Sequence, residues 1–111
     1  MPPRKPNLLQ GTLDLIVLQL LQAEPTNGFD LALRIQATTK DVLNVNAGSL
    51  YPALYRLEGR GWIRGEWRAT DNNRRAKVYS VTPAGRKQLA ADRAAWGEFT
   101  AAMAAILRTS S

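Results

Sequence analysis

Cationic side chains are concentrated in one short stretch of the chain. Residues 60–77 contain six arginines and lysines but only two acidic residues, so they supply +4 of the net charge of +6. Each cation that neutralises a phosphate releases condensed counterions, which suits such a stretch to a polyanionic partner. The side chains that we assign to phosphate contacts are Arg74, Arg75 and Lys77. A solvated surface strand is the alternative explanation for the same charges.

A second set of polar side chains lies between residues 46 and 56. Leu50, Leu54 and Leu57 recur at helical spacing and predict a buried face, which leaves the polar residues on the other faces. Amide, hydroxyl and guanidinium groups there can contact phosphates or base edges. The candidates are Asn46, Ser49, Tyr51 and Arg56, although capping of the helix would compete for Asn46.

The chain contains no cysteine and no histidine. This absence excludes disulfide frameworks, thiolate zinc sites, cysteine nucleophiles and every site that needs an imidazole. The acidic residues form no pattern with a nucleophile or a glycine-rich phosphate loop. We therefore predict a protein that is not an enzyme, with no catalytic residue, no metal ligand and no cofactor.

The chain has 111 residues, of which 45% are hydrophobic and 22% charged, as expected for one folded domain. The longest apolar stretch, residues 15–21, contains Gln19 and is far shorter than the roughly 20 residues of a membrane-spanning helix. The basic start is followed by no small-residue cleavage pattern. We expect a cytoplasmic protein without a membrane partner.

Four helices and one hairpin are predicted. Helix one starts near Gly11 with Thr12 as its cap, and Pro25 follows it. Helix two is capped by Asn27 and ends near residues 39–40, and its expected buried side chains are Phe29, Leu31, Ala32, Leu33 and Ile35.

Helix three lies between residues 46 and 60 and contains Pro52. Either Ser49 caps it, which places Pro52 in the first turn, or Asn46 caps it and Pro52 costs one backbone bond. Residues 62–68 and 75–81 predict a hairpin around a turn at residues 70–73. A long helix follows over residues 83–107, with Thr82 and Pro83 as its start.

These elements predict a mainly α protein with a small β hairpin, arranged as a winged helix-turn-helix with a long C-terminal dimerisation helix. Residues 1–7 form a flexible basic arm, residues 8–82 the DNA-binding domain, and residues 83–108 the dimerisation helix. Helices two and three form the turn motif, and the hairpin is the wing.

The last helix carries a heptad seam that predicts pairing with a second copy. Its members, which we assign to a dimer interface or effector pocket, are Leu89, Trp96, Phe99, Met103 and Ile106. Trp96 has two interpretations: an interface anchor, or a stacking platform for a small planar aromatic effector.

Several motifs together resemble the PadR family of bacterial transcriptional regulators. They are Leu9-Gln10-Gly11-Thr12-Leu13-Asp14, Asn27-Gly28-Phe29-Asp30-Leu31, Gly48-Ser49-Leu50-Tyr51-Pro52-Ala53-Leu54-Tyr55-Arg56-Leu57-Glu58 and Tyr79-Ser80-Val81-Thr82-Pro83-Ala84-Gly85. The short last helix resembles the compact branch of that family. The resemblance implies a homodimeric repressor of a palindromic operator, released in some members by a small molecule. For this chain we expect such an effector to be hydrophobic or aromatic.

A second hypothesis is a winged-helix module for protein assembly that does not bind DNA. Its cationic hairpin would contact an acidic protein surface instead of double-stranded DNA. Binding to duplex DNA of random sequence at low salt separates the two hypotheses.

Overall fold

A computed structural model describes the backbone of residues 8–110 and the side chains of residues 11–110. Its elements in chain order are α1 (Leu8–Ala23), β1 (Thr26–Asn27), α2 (Gly28–Thr38), α3 (Ala47–Gly59), β2 (Ile63–Ala69), β3 (Arg75–Val81) and α4 (Pro83–Leu107). The mainly helical winged-helix architecture predicted from the sequence is confirmed. The predicted basic arm, residues 1–7, lies outside the described residues.

The start of α1 differs from the prediction. The helix begins at Leu8, four residues before the expected cap Thr12. Gly11 lowers helix propensity by about 1 kcal/mol but removes no backbone bond, so the helix runs through it. At the other end, Arg34 of α2 donates to the carbonyl of Leu20 in the last turn of α1 at 3.0 Å and to the carbonyl of Glu24 just after the helix at 2.9 Å.

The predicted cap of α2 is confirmed, but part of its predicted buried face is wrong. The Asn27 side chain accepts from the Asp30 backbone N–H at 2.8 Å. Leu31 and Ile35 are buried, whereas Phe29 is 69% exposed and Leu33 50% exposed. Gly28 is also buried, and residues 28, 31 and 35 follow the i, i+3, i+7 spacing of one helix face. The face that contacts the body is therefore rotated away from Phe29 and Leu33.

The structure assigns the cap of α3 to Asn46. Its Oδ1 accepts from the Ser49 backbone N–H at 3.0 Å, and its backbone carbonyl accepts from Leu50. Pro52 is then the sixth helical residue and cannot donate the bond that would go to Gly48. Gly48 is exposed, so water can donate a hydrogen bond to its carbonyl oxygen. The predicted buried leucines of α3, Leu50, Leu54 and Leu57, are confirmed.

The predicted hairpin is confirmed, but it belongs to a three-stranded antiparallel sheet in the order β1-β3-β2. Strands β2 and β3 pair from Ile63 with Val81 to Ala69 with Arg75. Strand β1 pairs Thr26 with Tyr79. Two residues are too few for an alternating pattern, so the sequence did not predict β1.

The core joins α1, α2, α3, the base of the hairpin and the first half of α4. Its buried members are Val17, Leu18, Leu21, Leu31, Ile35, Leu50, Leu54, Leu57, Ile63, Tyr79 and Leu89. Leu89 is 1% exposed within one subunit. Its predicted place in the dimer interface is therefore wrong, because its apolar surface is already covered by its own chain.

The start of α4 is as predicted, and it is held against the base of the hairpin by a hydrogen bond and a close backbone contact. Thr82 Oγ1 accepts from the Gly85 backbone N–H at 3.1 Å, and Pro83 is the first helical residue. The Thr82 backbone N–H donates to the Trp62 carbonyl at 3.0 Å. A methyl group built on Gly85 would lie 1.9 Å from that same carbonyl oxygen. Only glycine permits this approach, so α4 leaves the hairpin at a defined position.

Across residues 8–110, no helix combines the length and the hydrophobicity needed to cross a lipid bilayer.

Candidate nucleic-acid interface

The N-terminal end of α3 presents polar groups at the surface. Asn46 and Ser49 are both exposed. In the cap, the Ser49 backbone N–H donates to Asn46 Oδ1. The cap does not use the Ser49 hydroxyl, which is exposed. The helix dipole adds partial positive charge at this end, which favours a phosphate.

Tyr51 lies on the same end of α3 and packs against the start of α2. A methyl group built on Gly28 would lie 2.8 Å from Tyr51 Cε1, so the ring rests directly on that backbone. The Tyr51 side chain is nevertheless 45% exposed, and Tyr55, one turn further on, is 78% exposed. The start of α2 thus supports one face of Tyr51 and leaves part of the ring accessible.

Arg56 faces the body of the protein rather than open solvent. Its Nη2 donates to Asp14 Oδ1 of α1, and the side chains of Arg56 and Asp14 are 25% and 11% exposed. Arg56 Nε is buried and has no hydrogen-bond partner among the described residues. This ion pair joins α1 to α3, so the guanidinium predicted to reach DNA is held by an intramolecular carboxylate.

The tip of the hairpin is exposed and cationic. Residues 66–75 are all exposed, including Arg74 and Arg75. The Arg75 guanidinium lies 5.6 Å from the centre of the Trp67 ring, and Trp67 is 61% exposed. Stacking on an aromatic ring limits the rotamers of a guanidinium. Arg75 is therefore presented on the hairpin in a defined position.

Lys77 is engaged more closely than the other hairpin cations. Its Nζ donates to Glu58 Oε1 at 2.9 Å and lies 5.4 Å from the centre of the Tyr79 ring. The hydrogen bond to Glu58 raises the pKa of Lys77 above its ordinary value of 10.5. Burial raises the pKa of Tyr79, and the adjacent ammonium partly opposes that shift. Lys77 is thus charged at neutral pH, but its charge is paired.

Apart from the buried Leu89, the predicted dimer residues of α4 form an exposed apolar stripe. Trp96, Phe99 and Met103 are each about two-fifths exposed, and Ile106 is 62% exposed. The rings of Trp96 and Phe99 are 5.6 Å apart between centres and tilted by 32°. These rings lie outside the apolar groove of about 260 Å³ that α1, α2 and Arg93 line.

Sequence reasoning missed three residues that shape this surface: Asp14, Glu58 and Trp67. Asp14 interrupts the apolar stripe of α1, and a carboxylate on a buried face requires a cationic partner. Glu58 lies one turn before the hairpin and had no special spacing. Trp67 is uncharged and was therefore not among the phosphate candidates, yet its ring lies 5.6 Å from the Arg75 guanidinium.

Comparison with known proteins agrees with this geometry. The model of the transcriptional regulator PadR-like family matches residues 17–91. The chain belongs to the PadR-like family. It is 38% identical over 81 residues to the transcriptional regulator Rv3488 of Mycobacterium tuberculosis, covering 73% of this chain and 75% of that protein. The resemblance identified from the sequence motifs is confirmed.

Solved structures share the fold over nearly the whole chain. A PadR-like transcriptional regulator from Bacillus cereus is 25% identical, with a TM-score of 0.80 over 93% of this chain and 98% of that one. A transcriptional regulator from Clostridium thermocellum is 24% identical, with a TM-score of 0.83 over 91% and 98%. The protein is thus a PadR-like transcriptional regulator and not an enzyme, and its family membership implies DNA binding.

Proposed function

We propose that this PadR-like regulator is a homodimeric repressor that binds a palindromic operator in the cytoplasm. Residues 8–82 contact the DNA, and residues 83–108 join the two subunits. The observation that carries the proposal is the exposure of both the N-terminal end of α3 and the cationic hairpin. A helix end of this kind fits the major groove, while the hairpin reaches the adjacent backbone.

The contacts divide by chemistry. Ser49, Tyr51 and the remaining groups of Asn46 supply contacts from α3 to phosphates and base edges, because all three are exposed at its N-terminal end. Arg74 and Arg75 supply phosphate contacts from the hairpin. Arg56 and Lys77 are each paired with a carboxylate of the same chain. A direct contact of either side chain with DNA stays a prediction.

The apolar stripe of α4 supports the homodimer. Trp96, Phe99, Met103 and Ile106 leave large hydrophobic surface in water in a single subunit. A second copy of the same helix covers such a stripe through a two-fold interface. Two-fold symmetry then places the paired α3 helices on half-sites about 10 base pairs apart or a multiple of that spacing.

An aromatic effector that releases the DNA belongs to the same proposal. The tilted pair of Trp96 and Phe99 rings offers planar surface within the stripe that we propose as the subunit contact. Planar aromatic molecules stack on such surfaces with ring centres about 4.5–7 Å apart. Quenching of tryptophan fluorescence by a planar dye, and its loss in Trp96→Ala, would support this site. A dye affinity unchanged by that substitution would exclude it.

Two measurements test the main proposal. Mobility shift with duplex DNA of random sequence at low salt should show binding, and selection from a random library should yield a palindromic site. Sedimentation at micromolar concentration should show a dimer. Absence of DNA binding at low salt would contradict the regulator as proposed and favour the protein-assembly hypothesis, and a monomer would exclude the two-fold arrangement.

A further inference from the structure

Glu58, at the end of α3, contacts both strands of the hairpin. Its Oε1 accepts from Lys77 Nζ of β3 at 2.9 Å, and its Oε2 accepts from the Gly65 backbone N–H of β2 at 3.3 Å. The Glu58 and Lys77 side chains are only 31% and 28% exposed. We call Glu58, Gly65 and Lys77 the clasp.

The absence of a side chain at residue 65 makes the clasp possible. The strand register pairs Gly65 with Tyr79 and Trp67 with Lys77, so Lys77 must extend diagonally across β2 to reach α3. A methyl group built on Gly65 would lie 2.3 Å from Lys77 Cε and 3.1 Å from Glu58 Oε2. The lysine chain therefore occupies the space that a side chain on residue 65 would take.

The clasp lies where the hairpin leaves the body. Ile63 and Tyr79 at its base are buried, and residues 66–75 beyond the clasp are exposed. Alternation along the strands places Trp67, Lys77 and Arg75 on the face of the hairpin that Glu58 contacts. The clasp therefore determines how the exposed end of the hairpin is oriented relative to α3.

We propose that the clasp positions the hairpin for DNA, so that Lys77 is a positioning residue and not a phosphate contact. This inference rests on the proposed DNA-binding function. A lysine paired with a carboxylate offers little net charge to a phosphate, so it releases few counterions on binding. Arg74 and Arg75, which form no ion pair with any of the described residues, then carry the phosphate contacts of the hairpin.

Removing either charge of the clasp should have the same effect on DNA binding. We would measure the affinity of Glu58→Met, Lys77→Met and the double variant for a labelled duplex of random sequence over a salt series. Each single variant should bind about threefold more weakly, as loss of a half-exposed ion pair allows. The double variant should be no weaker than either single one, because both substitutions break the same contact.

Simple electrostatics predicts the opposite sign for Glu58→Met, since that substitution makes the protein more cationic. Glu66→Met is the matched control, because Glu66 is an exposed acidic residue of the hairpin outside the clasp. It should bind DNA as tightly as the wild type or more tightly. Tighter binding by Glu58→Met would overturn the inference, as would a salt slope lowered by about 0.9 in Lys77→Met, the value for one lost phosphate contact.

Amide hydrogen exchange reports on the clasp without DNA. Exchange over residues 63–69 should accelerate in Glu58→Met and Lys77→Met but not in Glu66→Met, and Lys77→Arg should restore slow exchange. Unchanged exchange in the first two variants would overturn the clasp itself. If the wild type binds no DNA while both variants still show accelerated exchange, the proposed function would be overturned, and with it the positioning role.

Discussion

The two halves of α4 carry one hydrophobic repeat, but only the first half buries it within its own subunit. Leu89, in the first half, is 1% exposed and packs in the core of its own subunit. Met103, two heptads later, is 39% exposed. The first half is also fastened by the Thr82 cap and by the close approach of Gly85 to Trp62. A heptad repeat therefore identifies an apolar seam without identifying which chain covers it.

Length explains the difference between the halves. The helix has 25 residues, which span about 37 Å at about 1.5 Å per residue. Residues 93–103 are all exposed, so the second half of α4 has little contact with the body. The apolar stripe of that half is therefore not covered by the described part of its own subunit.

Leu89→Ala tests the first half of α4 and should have the largest effect. Removing a fully buried leucine should lower the free energy of unfolding by about 3 kcal/mol, through lost burial and the cavity that remains. Met103→Ala is the matched control and should change the unfolding of the monomer little. Chemical denaturation at low protein concentration measures both. Equal losses in the two variants would remove the distinction between the halves.

Gly85→Ala and Gly97→Ala compare two glycines of the same helix. The added methyl group at residue 85 would overlap the Trp62 carbonyl, and we expect a loss of about 2 kcal/mol in the free energy of unfolding. A methyl group built on Gly97 would meet no described atom within 4 Å outside the backbone of its own helix, so the higher helix propensity of alanine should stabilise the protein by about 0.5–1 kcal/mol. Thermal unfolding of both variants measures the signs, which should be opposite.

Trp96→Ala tests the second half of α4 as a subunit contact. We expect dimer dissociation to become roughly tenfold easier, about 1.4 kcal/mol, because buried tryptophans dominate many interfaces. Sedimentation over a concentration series measures the change. Glu98→Ala, on the same turn of α4, is the control and should associate as the wild type does. Equally tight association of the tryptophan variant would remove Trp96 from the anchor role.

Arg75→Ala should have the smallest energetic effect and should act on DNA alone. Loss of one phosphate contact should lower the slope of log affinity against log salt by about 0.9 and weaken binding to all sequences similarly. Arg108→Ala, at the end of α4, removes the same charge far along the chain from the hairpin and should leave the slope unchanged. An unchanged slope in Arg75→Ala would contradict the assignment.

Local signals in the sequence predicted much of the fold. Caps depend on residues three apart, so Asn27 and Thr82 predicted the starts of α2 and α4 correctly. The cap of α3 had two candidates, and only the structure selects Asn46. Phe29 and Leu33 were misplaced because periodicity defines a stripe, whereas the contact of Gly28 with Tyr51 decides how α2 is rotated.

The candidate DNA surface divides in the same way. The charge of the hairpin and the exposed polar end of α3 follow from residue order, and they were predicted. The partners of Arg56 and Lys77 are 42 and 19 residues away in the chain, at Asp14 and Glu58, so spacing along the sequence gave no sign of them. Which cations stay unpaired for phosphate is a result of packing.

The sequence by itself determined the four helices, the basic hairpin, their order and the family, because caps, turns and periodic leucines act over a few residues. Tertiary structure alone decided which apolar side chains are covered by the same subunit and which cations are neutralised within it. Burial and ion pairing depend on distances between elements that are remote in the chain, and those distances exist only after the helices and the sheet have packed.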